Sequence, residues 1–186
     1  MELVTCITGR RSVRKFQDKP IPKEVVDKIL NAGVWAPSGM NGQPWKFVVI
    51  QDRKIINKLS DKTKQITSTL PMPPKVLEIS RSKEDVVFYG APLLILISVN
   101  KSKDPIRSMN ILDCGLAAQN MFLKAYEEGL GSCFIGFADF LNMDPSILEE
   151  VGISKDLELI APLIFGYPAE SPEAPSREVK VIKWIK

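Results

Sequence analysis

Histidine is absent from all 186 residues. That removes Ser-His-Asp and Cys-His nucleophiles, a histidine general base and any zinc site built on imidazole. Cysteine is scarce: Cys6, Cys114 and Cys133 lie far apart with no C-x-x-C pair. Neither an iron–sulfur cluster nor structural zinc is expected, and the three read as reduced, buried thiols. Long apolar runs are missing too. The longest, Ala91 to Val99, is about half of a membrane-spanning helix. Met1 to Thr8 carries an early acid and runs directly into arginine, unlike a secretion signal. No membrane partner is expected, and the expected address is cytoplasmic. A strong excess of one charge is also lacking, since the net formal charge is only +3, too little by itself to imply a nucleic-acid partner. Redox or acid–base work in such a chain has to come from something it binds.

What is present is an ordinary globular composition, 45% hydrophobic and 25% charged, enough for one domain over residues 1–186 and short for two. Leu3, Val4 and Ile7 fall at helical spacing before Gly9. Val25, Val26, Ile29 and Leu30 share a helical face within Lys23–Gly33, with Gly33 where a cap would stand. Ala36-Pro-Ser-Gly-Met-Asn-Gly-Gln-Pro44, bracketed by Trp35 and Trp45, has the composition of a loop pinned to a core. Lys46–Ile50 reads as a strand, and Asp52 as the cap of a helix through Leu59. The segment 60–85 has the least regular pattern, and Pro71-Met-Pro-Pro74 cannot lie inside a helix. Ala91–Val99 and Leu157–Phe165 are expected as buried strands. Ser108–Glu128 is the strongest helix, apolar around much of its circumference and therefore central, ended by Gly129. Asp144-Pro145 is a cap and first-turn pair for a short helix through Val151.

Three features could carry chemistry. Arg10, Arg11, Ser12 and Arg14 lie within five residues at the end of a short helix. Paired guanidinium donors and a hydroxyl suit a phosphate, and a solvated basic turn is the plainer alternative. A nucleic-acid footprint would need further basic patches with aromatics between them, and the remaining lysines are dispersed among acids. Gly129-Leu-Gly-Ser-Cys-Phe-Ile-Gly136 has the wrong spacing for a dinucleotide fingerprint and follows a helix. Its glycines either allow close approach of backbone to a ligand or simply cap and turn the chain. Asp113, inside the apolar helix, needs partners, and a structural role is favoured over a place beside a site.

In their order along the chain these features resemble one family. Arg10-Arg-Ser-Val-Arg-Lys-Phe16, Ala36-Pro-Ser-Gly-Met-Asn-Gly-Gln-Pro-Trp45, Phe88-Tyr-Gly-Ala-Pro92, Asp113-Cys-Gly-Leu-Ala-Ala-Gln-Asn120, Gly129 to Gly136 and Gly166-Tyr-Pro168 are similar to successive landmarks of the FMN-dependent nitroreductases, from Gly9 to about Arg177. The resemblance implies an α+β fold, a nitroreductase-like α/β/α sandwich on a mainly antiparallel sheet. It also implies an intertwined homodimer with non-covalently bound FMN at the subunit interface. It places Arg10, Arg11, Ser12 and Arg14 at the FMN phosphate and ribityl chain. Pro37, Ser38, Gly39 and Asn41 fall on a loop that reaches the flavin from the partner, Ile135 and Gly136 on a turn whose N–H groups face the ring, and Arg177 returns to the phosphate. It implies hydride transfer from NAD(P)H to the flavin and on to a small organic acceptor (a nitroaromatic, a quinone or a flavin) by a ping-pong scheme, with no catalytic side chain.

Departures from the family bound that expectation. Residues 60–85 occupy the place of its variable lid and contain neither tyrosine nor tryptophan, so the Glu-Tyr-Lys constellation of the halotyrosine dehalogenases is missing. An FMN carrier with little turnover is the alternative reading, and a small module binding nucleic acid or a protein partner through the basic cluster is a third. Residues 169–186 form an extended arm whose last seven residues are strand-like. Its expected place is on the partner subunit, with folding back on its own subunit as the alternative.

Overall fold

The computed structural model describes residues 1–186. Four strands, β1 (Lys46–Ile50), β2 (Leu93–Asn100), β3 (Gly131–Phe134) and β4 (Leu157–Gly166), form one sheet in the order β1-β2-β4-β3, every pair antiparallel. β2 and β4 are central and nearly continuous apolar runs, as strands covered on both faces must be. Leu93, Ile95, Ile97 and Val99 point to one face, where α2 (Lys23–Val34) and α5 (Ile106–Glu127) pack. Leu94 and Leu96 point to the other, against α3 (Arg53–Ser68), a 3-10 segment over Gly136–Met143 and α6 (Pro145–Glu150). The register shifts between Ile97 and Ser98, which pair with Ala161 and Leu159. This bulge at Ile160 sends Leu159 and Ala161, two residues apart, to opposite faces. The result is an α/β/α sandwich, an α+β fold.

The expected strands are present, and β3 is an addition, read from sequence only as a turn. Asp52 caps α3 through the Lys54 and Ile55 N–H groups, and Asp144 caps α6 through Ser146 N–H. α3 runs on to Ser68 rather than stopping at Leu59, because Ile56, Leu59, Thr63 and Thr67 continue a buried stripe past the lysines. Pro74 then opens a further helix, α4 (Pro74–Ser80), at the one position where a proline costs nothing. Gly33 does not cap α2. It lies inside the helix, where a Cβ would come within 2.9 Å of Met121 Cγ, so its role is close approach of α2 to α5. α5 is only half central: Cys114, Ala117, Met121 and Phe122 are buried, but Leu112 is 69% and Leu116 45% exposed. The C-terminal residues from Val179 onward form no strand within this chain, and Ile182 and Trp184 are exposed. No helix is long and apolar enough to cross a membrane.

Candidate functional site

The basic segment follows α1 (Leu3–Gly9) as an extended stretch laid along the edge of β3. Ser12 bridges Ser132 in parallel, and Val13 N–H donates to Ser132 O at 3.0 Å. Val13 is buried against Gly131, where any Cβ would lie 2.7 Å from the valine side chain. Anchoring at Val13 divides the arginines. Arg10 and Arg11, together with Arg177 from the C-terminal arm, line one cavity of about 470 Å³, with Thr8 and Gln119 of α5 completing its polar wall. Arg14 instead lines a second, apolar cavity of about 240 Å³.

The first cavity carries concentrated positive charge. Burial, and then the nearby Arg11 and Arg177 guanidiniums, push Arg10 below the ordinary arginine value. Its guanidinium carbon lies 5.7 Å from the centre of the Phe122 ring, a cation–π contact that holds it without neutralising it. Arg11 Nη1 donates to Thr8 O and Arg10 O, at 2.8 and 2.6 Å, while its buried Nε has no partner. A cluster of arginines with an unsatisfied donor and no carboxylate in the lining fits an anion with several oxygens, and a phosphate monoester meets that description.

The second cavity lies beside the other expected element. Ile135 and Gly136 form its floor with Phe134 and Phe137, and Val76 and Ile79 of α4 cover it. Of the two N–H groups expected to face a ring, that of Ile135 donates to Pro162 O at 2.9 Å. Gly136 opens the 3-10 segment, where the first N–H groups have no acceptor in the turn. The pair therefore supplies one donor. Arg14 is the only charged residue in the lining, with its guanidinium carbon 5.9 Å from the centre of the Tyr89 ring. Tyr89 itself has φ 55°, and Asp85 fixes that turn by accepting from Phe88 N–H at 2.8 Å and Gly90 N–H at 3.0 Å. A tyrosine held in the left-handed region is strained by about 1–3 kcal/mol.

Pro37, Ser38, Gly39 and Asn41 line neither cavity. Their loop lies on the exposed side of α5, tied down where Gly39 N–H meets the carboxylate of Asp113. Met40, Asn41 and Gln43 all have positive φ, and Met40 is 98% exposed. A strained, anchored loop thus projects away from the chain that bears it.

Residues 7–167 match the sequence profile of the nitroreductase family. The chain belongs to that family, and with it to the oxidoreductases. A protein of Methanothermobacter thermautotrophicus, named as a proposed NADH dehydrogenase or NAD(P)H nitroreductase, is 30% identical over 172 residues, 92% of this chain and 80% of that one. A nitroreductase of Bacteroides fragilis, solved with bound FMN, superposes with a TM-score of 0.87 at 28% identity over all of both chains. Rat iodotyrosine deiodinase 1 is 25% identical over 198 residues, 99% of this chain and 68% of that protein.

Against the nitroreductase pattern, the structure brings Arg10, Arg11 and Arg177 together, sets Arg14 with Ile135 and Gly136, and leaves the Pro37–Asn41 loop apart from both groups. Sequence reasoning did not single out Gln119 or Tyr89 as cavity residues, although both stand within motifs it recognised. Nor did it find the α4 side chains, because the prolines around residue 73 masked a helix.

Proposed function

We propose that this nitroreductase-family chain is an FMN-dependent oxidoreductase that takes hydride from NAD(P)H and passes it to a small organic acceptor. The observation that carries the reading is the convergence of Arg10, Arg11 and Arg177 on one cavity. These three hold the FMN phosphate, and Ser12 lies on the same extended segment for the ribityl chain. Gly136 N–H donates to the ring, and Arg14 brings positive charge to the same cavity floor. FMN bound there supplies the hydride chemistry that a chain without histidine lacks. The protein's part is to bind, to orient and to concentrate donors where negative charge develops. Tyr89, Phe134 and the α4 side chains give the apolar surroundings that exclude water. Because one cavity adjoins Gly136, NAD(P)H and the acceptor use it in turn, which is a ping-pong scheme.

The functional unit is a homodimer of single-domain subunits. Leu3, Val4 and Ile7 of α1 and Ile106, Met109, Leu112 and Leu116 of α5 are exposed apolar side chains, a contiguous interface in the making. The Pro37–Asn41 loop sits on that face, so Pro37, Ser38, Gly39 and Asn41 reach the partner's FMN. The arm over residues 169–186 completes the dimer, with Arg177 still facing its own Arg10.

An absorbance spectrum of the purified protein, followed by anaerobic addition of NADH and then NADPH, tests the reading. Flavin bands that bleach are expected. Bands that persist with both nucleotides would indicate a carrier, and absence of flavin after incubation with FMN would overturn the assignment of the arginine cavity.

A further inference from the structure

We propose that Lys64, a buried lysine of α3, is a positioning residue that sets the shape of the electron-acceptor cavity. The inference rests on the oxidoreductase reading above. The Lys64 side chain is only 6% exposed. Its ammonium donates to two backbone carbonyls, Ser82 O at 3.1 Å and Glu84 O at 2.9 Å, and lies 2.9 Å from Asp61 Oδ1. An ammonium is kept out of water only where oxygens replace its hydration shell, and here three do. Both carbonyls belong to the strap that leaves α4.

The position of that strap decides what the clamp controls. Val76 and Ile79 precede the clamped residues, Val86, Val87 and Tyr89 follow them, and all five line the cavity beside Ile135 and Gly136. Half of the cavity wall therefore hangs on a segment that α3 holds at three points: Thr67 Oγ1 to Ser80 Oγ at 2.8 Å, Lys64 to Ser82 and Glu84, and Arg53 Nη1 to Ala91 O at 3.1 Å. The second point uses a charged donor, as Arg53 does at the far end, and it is the one nearest the middle of the strap. Of the two charged side chains by which α3 holds the strap, Lys64 is buried and Arg53 only partly so. Lys64 touches neither cavity, so it acts through the strap.

The test uses the FMN-loaded enzyme and 1,4-benzoquinone as acceptor. Lys64→Met, which preserves the volume and removes the donors, is expected to raise KM for the quinone about tenfold with kcat changed less than about twofold. FMN content is expected to stay stoichiometric. Trypsin supplies a readout independent of turnover, because Arg81 and Lys83 lie in the strap: cleavage there should accelerate about tenfold in Lys64→Met. Lys64→Arg, able to reach both carbonyls, should restore both properties. Unchanged KM overturns the proposal whether or not cleavage accelerates. Should Lys64→Met fail to fold, the double variant Thr67→Val, Ser80→Ala loosens the neighbouring point and must raise KM in the same direction. A wild-type protein without flavin, or one that NAD(P)H does not reduce, would instead fail the underlying oxidoreductase reading, while the proteolysis comparison still reports on the clamp.

Discussion

Asp113 and Gly39 are joined through both carboxylate oxygens: the Gly39 N–H lies 3.2 Å from Oδ1 and 3.1 Å from Oδ2. The contact spans 74 residues of sequence and explains why an aspartate stands in an apolar helix. It moors the loop whose next residue, Met40, already has φ 53°. Strain of that kind persists only where the surroundings over-determine it. Asp113→Ala leaves the Gly39 N–H unpaired and should destabilise the protein by about 1–3 kcal/mol. It should also weaken FMN retention, whereas Asp113→Asn, which keeps one acceptor, should do less of both. Urea unfolding and flavin content after gel filtration check the two effects separately.

The arginine cavity makes a prediction of opposite signs. Burial, and then the neighbouring Arg11 and Arg177, disfavour the charge on Arg10. Arg10→Gln should leave the apoprotein no less stable than wild type. The same change removes a charge-assisted contact to phosphate, worth about 1.5–3 kcal/mol, so the FMN dissociation constant should rise about 10- to 100-fold. Thermal melts of apoprotein, with and without added FMN, report both. A parallel fall in apoprotein and holoprotein melting temperature would show that Arg10 is structural.

Most of the sandwich was legible because its strands are apolar runs and its helices carry their own punctuation, Asp52 and Asp144 at the starts and Gly129 at an end. What escaped was set by partners distant in sequence. β3 is four residues with three glycines nearby, and it is a strand only because β4 lies alongside it. Gly33 looked like a cap, and only the approach of Met121 reveals its purpose. The arginine motif was visible as a unit, yet its division at Val13 depends on Gly131, more than a hundred residues away. Lys64 lies in the segment 60–85, whose irregular pattern hid the continuation of α3, and nothing local marks it as buried.

That division at Val13 is itself testable. A Cβ at residue 131 would lie 2.7 Å from Val13 Cβ and Cγ2, and a β-branched side chain cannot rotate out of the way. Gly131→Ala should cost about 1–3 kcal/mol by overpacking and should shift Arg10 and Arg14 enough to lower FMN affinity. Val13→Ala removes the methyl groups concerned, so the double variant should recover part of what Gly131→Ala loses. A double-mutant cycle of unfolding free energies measures the coupling, expected at about 0.5–3 kcal/mol. Simple additivity would place the glycine's role elsewhere.

Asp144 contributes to the acid limb of the stability. Hydrogen bonds from Lys62 and then from Ser146 hold its carboxyl down at about 2, from an ordinary 3.8. A depressed folded-state pKa contributes stability that is fully present above the unfolded value and is lost as pH falls through the folded one. The difference in melting temperature between wild type and Asp144→Asn should therefore be constant above about pH 5, shrink from 3.8 downward and vanish near about 2. A difference independent of pH down to that point would mean that the cap, rather than the charge, carries the effect.

The C-terminal arm offers the sharpest test of the dimer. Val179 is 93% and Ile182 104% exposed, so neither side chain packs on its own subunit. Apolar side chains left in water this fully gain stability when buried, at about 25 cal/mol per Å², and α1 and α5 present exposed apolar side chains of their own. Deleting residues 179–186 should shift gel-filtration elution toward the monomer at micromolar concentration and make the melting temperature depend on protein concentration. On the dimer proposed above, in which the Pro37–Asn41 loop reaches the partner's flavin, flavin content should fall with it. An unchanged elution volume and melting temperature with full flavin content would overturn the arm's place on a partner subunit.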